Sequence, residues 1–454
     1  MDDIIALAKR RGFIYPSSLI YGGLANTWDF GHYGTLLKNN VRDWWWKRFV
    51  IGRDDMVSID ASIFLNPKAW EASGHVENFT DVLIDCKICH TRTRADHLIE
   101  DKLKIQAEGL PLEKLNKLIA DNKIKCPKCG NFDWTPARKF NLLFETKIGI
   151  VEESQSTAYL RGEIAQGIFL NFKNIIDTMR VRIPFGIAQQ GKVFRNEITL
   201  GQFVHRSLEF DLMEFEYFIK ESEWQKTYEY WREGMWKWAK DLGIRETRLR
   251  WREHEEHERS HYSKRTMDVE YEYPFGFKEM FGLAYRTDFD LKNHSEKSGK
   301  DLRVMDPHTG DKYIPHVIEP TFGLSRLIGI LLYDAYKVDT VNGKDRVVLK
   351  LHPIIAPVKA AVFPLQKDEV LHGIAKKLHD ELKQSMVSEF DDSGNIGKMY
   401  RRQDEIGTPY CITVDYQTKE DSTVTVRERD TTSQQRLPLS EVKAYIMNKI
   451  GSFY

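Results

Sequence analysis

Two stretches of this sequence hold charged and aromatic residues in patterns that could do chemistry on a phosphate ester. The first is Phe194-Arg195-Asn196-Glu197, then a short loop through Gly201, His205 and Arg206, then Leu208-Glu209-Phe210 and Met213-Glu214-Phe215-Glu216. Side chains two apart in a strand share a face, so an antiparallel hairpin here would align Arg195 with Glu197 and, on the returning strand, Phe210 with Glu214. A surface that gathers a cation, a carboxylate and an aromatic ring suits a nucleotide. Arg195 would hold a phosphate, Glu197 would accept from an adenine amino group, and Phe210 would stack on the base. A solvated hairpin laced by salt bridges is the competing reading, and this stretch alone does not exclude it. The second stretch runs from Ile318 through Glu319, Thr321, Gly323 and Arg326 to Ile328, as a strand end, a glycine turn and a helix start. A cation in the first turn of an apolar helix opposes the helix dipole, so the position of Arg326 points to a bound anion.

A third pattern concerns metal. Of only five cysteines, four fall in Cys86-x-x-Cys89 and Cys126-Pro-Lys-Cys129-Gly130. In a reducing compartment such pairs are read as metal ligands rather than disulfides. Four thiolates close a tetrahedral zinc shell, and a closed shell is structural, not catalytic. His90 is then a surface residue, and Cys411, in an expected strand, a buried thiol. The run His254, His257, His261 among Glu253, Glu255 and Glu256 invites a second metal, but histidines at helical spacing amid so many acids fit an exposed charged face better.

These residues need a scaffold. At 454 residues with 41% hydrophobic and 30% charged residues, the chain is long enough for two or three folded domains. It carries no apolar run of membrane-spanning length, and Met1 to Arg11 lacks the features of a signal peptide, so the expected location is the cytoplasm with no membrane partner. Net charge is zero, so a nucleic-acid partner would need local basic patches. Asn26 to Val50 has a helix-like apolar run through three consecutive tryptophans, which fits core or subunit packing. Strand patterns follow at Val57 to Phe64, stopping at Asn66-Pro67, and at Lys192 to Ile198, Ser207 to Ile219 and Leu283 to Phe289. A tryptophan-rich helix is expected over Trp224 to Leu242, and a helix-containing, lysine-rich insertion over Glu100 to Lys125. The sum is an α+β domain on an antiparallel sheet. The polar segment Val341 to Asp345 is read as a linker. Beyond it, strand (Val347 to Leu351), helix (Asp368 to Gln384), strand (Met386 to Phe390), helix, strand (Tyr410 to Val414), strand (Ser422 to Arg427) and helix (Leu439 to Ile450) make a separate α/β domain.

The two chemical stretches, with the apolar strand ending at Pro67, resemble the three signature motifs of class II aminoacyl-tRNA synthetases. Further segments resemble the glycine-specific, homodimeric family of that class: Asn66-Pro67-Lys68-Ala69-Trp70-Glu71, Arg94-Ala95-Asp96-His97, Ala165-Gln166-Gly167-Ile168-Phe169, Arg286-Thr287-Asp288-Phe289-Asp290 and Tyr400-Arg401-Arg402-Gln403-Asp404-Glu405. The likeness covers nearly the whole chain. It implies a catalytic domain over 1–342 with a zinc-binding insertion at about 82–138, and an anticodon-binding domain over 343–454. It implies glycine, ATP with Mg2+ and glycine tRNA as substrates, a structural Zn2+ on Cys86, Cys89, Cys126 and Cys129, and a homodimer.

Residue roles follow from the same resemblance. Arg195 and Arg326 are the catalytic phosphate cations. Asn196, Glu197, His205, Arg206, Phe210, Glu279, Met280 and Gly323 complete the ATP site, with Glu279 the acid that meets ATP or its magnesium. Arg94, Glu163, Glu214, Glu319 and Thr321 form the glycine pocket. Three carboxylates around one small cavity suit an ammonium group, and sterics can exclude every larger amino acid. In the last domain, Arg401 and Arg402, with Lys398, would meet tRNA phosphates, while Asp404 or Glu405 would accept from a cytosine amino group. A different class II synthetase, or a tRNA- or DNA-binding relative without chemistry, are the competing readings.

Overall fold

The computed structural model describes residues 2–107, 109–150, 156–197, 203–341 and 343–451. Ile198 and Gly201, named above, lie outside them. The larger unit rests on a seven-stranded sheet: β1 (Met56–Ser58), β2 (Phe185–Phe194), β3 (Glu209–Ile219), β4 (Leu249–Glu253), β5 (Arg265–Tyr273), β6 (Gly276–Thr287) and β7 (His316–Gly323), ordered in space β4-β5-β6-β7-β3-β2-β1. All pairs are antiparallel except β1 with β2, where Met56 lies beside Gly186. Five helices matter to it: α1 (His32–Trp46), α2 (Ala165–Met179), α3 (Trp224–Asp241), α4 (Phe289–Ser298) and α5 (Leu324–Ala335).

Strand β3 shows how the sheet divides its labour. Its odd-numbered residues Met213, Phe215, Tyr217 and Ile219 join a core with Trp45 of α1, Trp231 and Trp238 of α3, and Leu327 and Ile328 of α5. Its even-numbered residues face the other way, where Phe218 packs on Phe169 and Phe172 of α2. The period of two therefore sends Glu214 and Glu216 toward the α2 side. Of the tryptophan triplet, Trp45 is fully buried while Trp44 and Trp46 are partly so, which is the core role expected. Helix α1 lies close against the preceding chain because Gly34 has no side chain: a Cβ there would stand 1.9 Å from the Phe13 carbonyl oxygen.

Several elements differ from expectation. The strand expected over Val57 to Phe64 stops at Ser58, because Arg161 takes the Ala61 carbonyl (2.8 Å) and draws the chain away from the sheet. Asn66-Pro67 then caps the helix Pro67–Ala72, with the Asn66 side chain accepting from the Lys68 amide at 3.0 Å. Strand β2 begins earlier than expected and ends at Phe194. Its first five residues are buried on both faces, so they carry no alternation to detect. The segment Val341 to Asp345 is not a linker: Tyr336–Val341 pairs with Lys344–Leu349 in an antiparallel ribbon, and Gly343 has a φ of 72°.

The cysteine pairs belong to a small unit with its own core of Ile84, Leu98, Ile99, Leu115, Ile119 and Ile124. Its sheet joins Thr80–Asp85 to Arg92–Arg94 and Arg138–Asn141, and its helices are Ala95–Leu103 and Leu112–Asp121. The C-terminal sheet has the order Ser388–Phe390, Ala360–Pro364, Tyr410–Val414, Thr423–Glu428, Gln434–Pro438, the first three parallel. Ala360–Pro364 and Gln434–Pro438 were not expected, and Val347–Leu351 is not part of this sheet. Helices Glu369–Leu382, Ile396–Ile406 and Leu439–Ile450 complete it. The amino-terminal segment is clasped to the C-terminal unit. Arg11 Nε donates to Glu405 at 2.6 Å, Arg10 to the same carboxylate at 3.2 Å, and the Tyr33 hydroxyl donates to Glu389 at 2.5 Å.

Candidate active site

The ends of β2, β3, β6 and β7 and the start of α5 surround one cleft. Arg195, Glu197, His205, Arg206, Phe210, Glu279, Thr321, Gly323 and Arg326 line it. Arg195 and Glu197 stand just past the end of β2, yet the ladder persists for one more bond, Arg195 N to Leu208 O at 2.9 Å, and aims both inward. The Arg195 guanidinium lies 5.1 Å from the Phe79 ring centre and 5.4 Å from that of Phe210, and its Nε donates to the Gly162 carbonyl at 3.0 Å. Stacking between two rings fixes a guanidinium plane while leaving its edge free for an anion. Arg206 pairs with Glu197 at 3.0 Å, and Arg326 with Glu279 at 2.9 Å. Arg326 is thus tolerated at the start of α5 by a carboxylate from β6 as well as by the Glu279 carbonyl at 3.0 Å. Burial and the cations Arg326 and Arg206 push the His205 imidazole well below its usual range, and its Nδ1 lies 3.2 Å from the Tyr273 hydroxyl.

One residue expected in this cleft does not present its side chain to it. Met280 is fully buried in the core beneath the sheet, and only its carbonyl approaches Gly323. Asn196 is held by its backbone, donating to the Leu142 carbonyl at 2.9 Å.

Thr321 belongs to two sites at once. It lines the cleft, and its hydroxyl donates to Glu214 Oε2 at 3.1 Å. Behind it lies a buried cluster of carboxylates. Arg286 on β6, fully buried, donates to Glu319 on β7 (3.0 Å), to Asp290 on α4 (2.8 Å) and to Glu163 just before α2 (3.3 Å). The Tyr262 ring covers its guanidinium, 3.7 Å from plane centre to cation. Gln166 donates to both Glu163 and Asp290 at 2.8 Å, and His75 lies 3.2 Å from Glu163. Burial opposes ionisation of Glu163, but His75 and Arg286 outweigh it and hold this carboxyl well below its usual range.

On the β3 side the balance reverses. Glu214, Glu216 and Glu319 are all buried, with carboxylate oxygens within 4.8 Å of one another. Two full charges at that distance repel by roughly 3 kcal/mol even at an effective dielectric of 20. Burial, reinforced by Glu319 and Glu163, raises the Glu214 carboxyl well above its usual range, and burial with Glu319 does the same for Glu216. Burial pushes Glu319 up to about 7. Glu214 Oε1 and both oxygens of Glu216 have no hydrogen-bond partner. Arg286 and Glu216 were given no role from sequence alone. The signal for Glu216 was its spacing of two from Glu214; that for Arg286 was its spacing of four from Asp290.

Arg94, expected among these glutamates, is placed elsewhere. It is buried in ion pairs with Asp81 (2.9 Å) and Asp96 (2.5 Å). Asp81, raised to about 6 by burial, feels Glu197 and Arg206, which puts this cluster beside the end of the cleft where those two residues pair.

The four cysteine sulfurs converge. Cys86 and Cys129 lie 3.6 Å apart, as do Cys89 and Cys126, all four are unbridged, and all lie within 4.8 Å of one another. The two turns match: His90 N donates to Cys86 O and Gly130 N to Cys126 O, each at 2.9 Å. His90 and Gly130 both adopt positive φ, and His90 is exposed, away from the sulfurs' shell. The donor set fits a tetrahedral thiolate-bound metal. The run from His254 to His261 holds only a single 3-10 turn, Glu256–Glu258, and no α-helix, and two of its histidines have separate partners: His254 bonds Asp268 at 2.7 Å, and His261 the Ser73 carbonyl at 2.8 Å.

In the C-terminal unit, Lys398 and Arg401 are exposed on one face of the helix Ile396–Ile406. Arg402 pairs with Asp391 at 2.6 Å. Asp404 faces inward, buried against Arg427 (2.9 Å) and Arg346 (3.4 Å), and Glu405 is taken by Arg10 and Arg11.

Residues 102–142 match the model of glycyl-tRNA synthetase insertion domain 1, and residues 359–449 that of an anticodon binding domain. The chain is 50% identical to the glycine–tRNA ligase of Caldanaerobacter subterraneus subsp. tengcongensis, over 99% of its own length and 98% of that protein's. It is 50% identical to the same-named protein of Geobacillus thermodenitrificans (99% and 98%) and 48% identical to that of Bacillus anthracis (99% and 99%).

Proposed function

The chain belongs to the glycine–tRNA ligases, and we infer that it uses the cleft and the carboxylate pocket as one two-part site. It is an aminoacyl-tRNA synthetase that joins glycine to tRNA. The observation that carries the assignment of the site is Thr321, which lines the cationic cleft and bonds Glu214 of the carboxylate pocket. A substrate with an ammonium at one end and a carboxylate at the other fits across that joint and meets a phosphate.

In this reading ATP enters with its magnesium, whose charge would help neutralise the outer phosphates near Glu279. Phe210 stacks on adenine and Glu197 accepts from its amino group. Arg195 holds the α-phosphate, and Arg206 and Arg326 the outer ones. Both of the latter are paired with carboxylates in this structure, so ATP exchanges one anionic partner for another rather than meeting bare cations. Glu214, Glu319 and Glu163 receive the glycine ammonium. A glycine carboxylate oxygen attacks the α-phosphorus, the bond to the β-phosphate bridging oxygen breaks, and pyrophosphate leaves. The terminal ribose hydroxyl of tRNA then attacks the activated carbonyl carbon and AMP leaves. No protein nucleophile is needed; the chain contributes position and charge. Arg94, held by Asp81 and Asp96, stiffens the nucleotide end.

Cys86, Cys89, Cys126 and Cys129 would hold a structural zinc that fastens the two turns of the insertion, and one zinc per chain by metal analysis is the check. The proposed domains are a catalytic part over 1–342, with an insertion at about 82–138, and an anticodon-binding part over 343–454. Leu349, Leu351, Ile354 and Ile355 pack in the catalytic core, which favours a physical boundary nearer the start of the matched domain. Lys398 and Arg401 are the cations placed to meet tRNA phosphates. Exposed Leu19, Ile20, Tyr21 and Leu24, and the edge position of β1, favour a homodimer, to be tested by light scattering. No helix among the described residues is long and apolar enough to cross a membrane, and the cytoplasm is the proposed location.

ATP–pyrophosphate exchange across the amino acids tests the site. Glycine alone should support rapid exchange, while comparable exchange with alanine, serine or proline would overturn the pocket assignment.

A further inference from the structure

Glu216 has no task in the reaction described above. It is fully buried on β3, and neither of its carboxylate oxygens meets a donor. A carboxylate in that condition is costly, and a structure keeps one only if a ligand or a proton completes it. The groups that face it are Glu214 on its own strand, Glu319 on β7, Arg286 on β6 and Asp290 on α4, with Glu163 beyond Glu214. Five carboxyl groups thus surround one guanidinium, and that guanidinium already spends its donors on Glu163, Asp290 and Glu319. The other buried cation near the β3 side, Arg161, feels Glu214 but gives its hydrogen bonds to the Lys192 and Ala61 carbonyls rather than to a carboxylate. Like charges so close in a medium of low dielectric do not all ionise, and a shared site keeps a proton.

We propose that Glu216 stores a proton in the glycine-free pocket and releases it to solvent when the glycine ammonium enters. The balance is simple: the carboxyl O–H bond breaks, its electron pair stays as a carboxylate, the proton leaves to buffer, and the arriving ammonium replaces its positive charge. The pocket thereby keeps a nearly constant charge whether empty or filled. Burial and Glu319 raise the Glu216 carboxyl well above its usual range, in accord with a protonated empty state. The sign follows: binding that expels a proton strengthens as pH rises through the range where the empty-state carboxyl stays protonated and glycine stays an ammonium.

This rests on the pocket being the glycine site. The test is calorimetric titration of the full chain with glycine near neutral pH, in two buffers of different ionisation enthalpy. The expected result is a heat that differs between buffers by the release of about one proton per glycine, and an affinity that rises about tenfold per pH unit. Glu216→Gln imitates the protonated acid in size and hydrogen bonding, so it should abolish both the buffer difference and the pH slope. Equal heats and a flat pH profile in the wild type would overturn the proposal. Release that persists in a folded Glu216→Gln would overturn the assignment to Glu216. If that variant does not fold, the wild-type measurements still decide. Glu214→Gln separates the two levels: unchanged glycine affinity there would sink the pocket reading itself, whatever the proton count.

Discussion

The cleft and the carboxylate pocket share a sheet and one threonine but obey opposite electrostatic rules. In the cleft, charges are matched pair by pair: Arg206 with Glu197, Arg326 with Glu279. Each cation is partly accessible and can trade its carboxylate for a phosphate. In the pocket, carboxyl groups outnumber cations, the side chains are buried, and two carboxyl groups are left incompletely bonded. On the proposed assignment of the two regions to ATP and glycine, the difference reflects the ligands. ATP is large, multiply charged and must leave as two fragments, so its site is a set of exchangeable contacts. Glycine offers one ammonium and no side chain, so its site is a rigid cage in which missing charge and missing space do the recognition.

If that contrast holds, breaking the cage should hurt stability and breaking the cleft should hurt only chemistry. The largest effect is expected for Arg286→Met, which leaves three carboxyl groups without their shared cation and should destabilise the protein by about 3–5 kcal/mol. Denaturant titration measures it, and a wild-type midpoint would show that the cage does not depend on this residue. Next come Arg195→Ala and Arg326→Ala. Each should reduce glycine-dependent pyrophosphate exchange by a factor of about 100 to 1,000, near 3 kcal/mol, with an unchanged melting temperature. Exchange at the wild-type rate in either would move the nucleotide elsewhere. The smallest effect, and the sharpest on the boundary between regions, is that of Glu214→Gln or Glu319→Gln. Glycine affinity should fall about tenfold, near 1.4 kcal/mol, while ATP affinity changes much less. Equal losses for the two substrates would merge the two regions into one.

The cleft was legible in the sequence and the pocket only half so, for a physical reason. Arg195, Glu197, His205, Arg206 and Phe210 belong to one hairpin, so their mutual placement follows from strand periodicity and a short loop. Glu214 and Glu319 could be named, but the need for Arg286 and the isolation of Glu216 depend on the register of β6, β7 and β3, which no local pattern encodes. The same limit explains Asp404, whose counter-ions Arg427 and Arg346 come from a later strand and an earlier ribbon. Among elements, Tyr410–Val414 and Leu439–Ile450 were read to the residue, being bounded by clear breaks. Ala360–Pro364, buried on both faces and flanked by prolines, has neither alternation nor a strand-like flank. The ribbon at 336–349 was misread because Asn342-Gly343 is a two-residue turn signature as well as a polar break.

The clasp between the amino-terminal segment and the C-terminal unit sets a clock on assembly. Arg11 and Glu405 are 394 residues apart, so one is made long before the other. At about 5–20 residues per second, the amino-terminal arginines wait roughly 20–80 seconds on the ribosome for their carboxylate. A nine-residue helix is marginal alone, so Leu7 and Ala8, which pack in the catalytic core, must carry Asp2–Arg10 through that interval. This seam cannot close before Glu405 is made, and a nascent chain truncated before Glu405 should present its amino terminus to proteases that the finished protein resists.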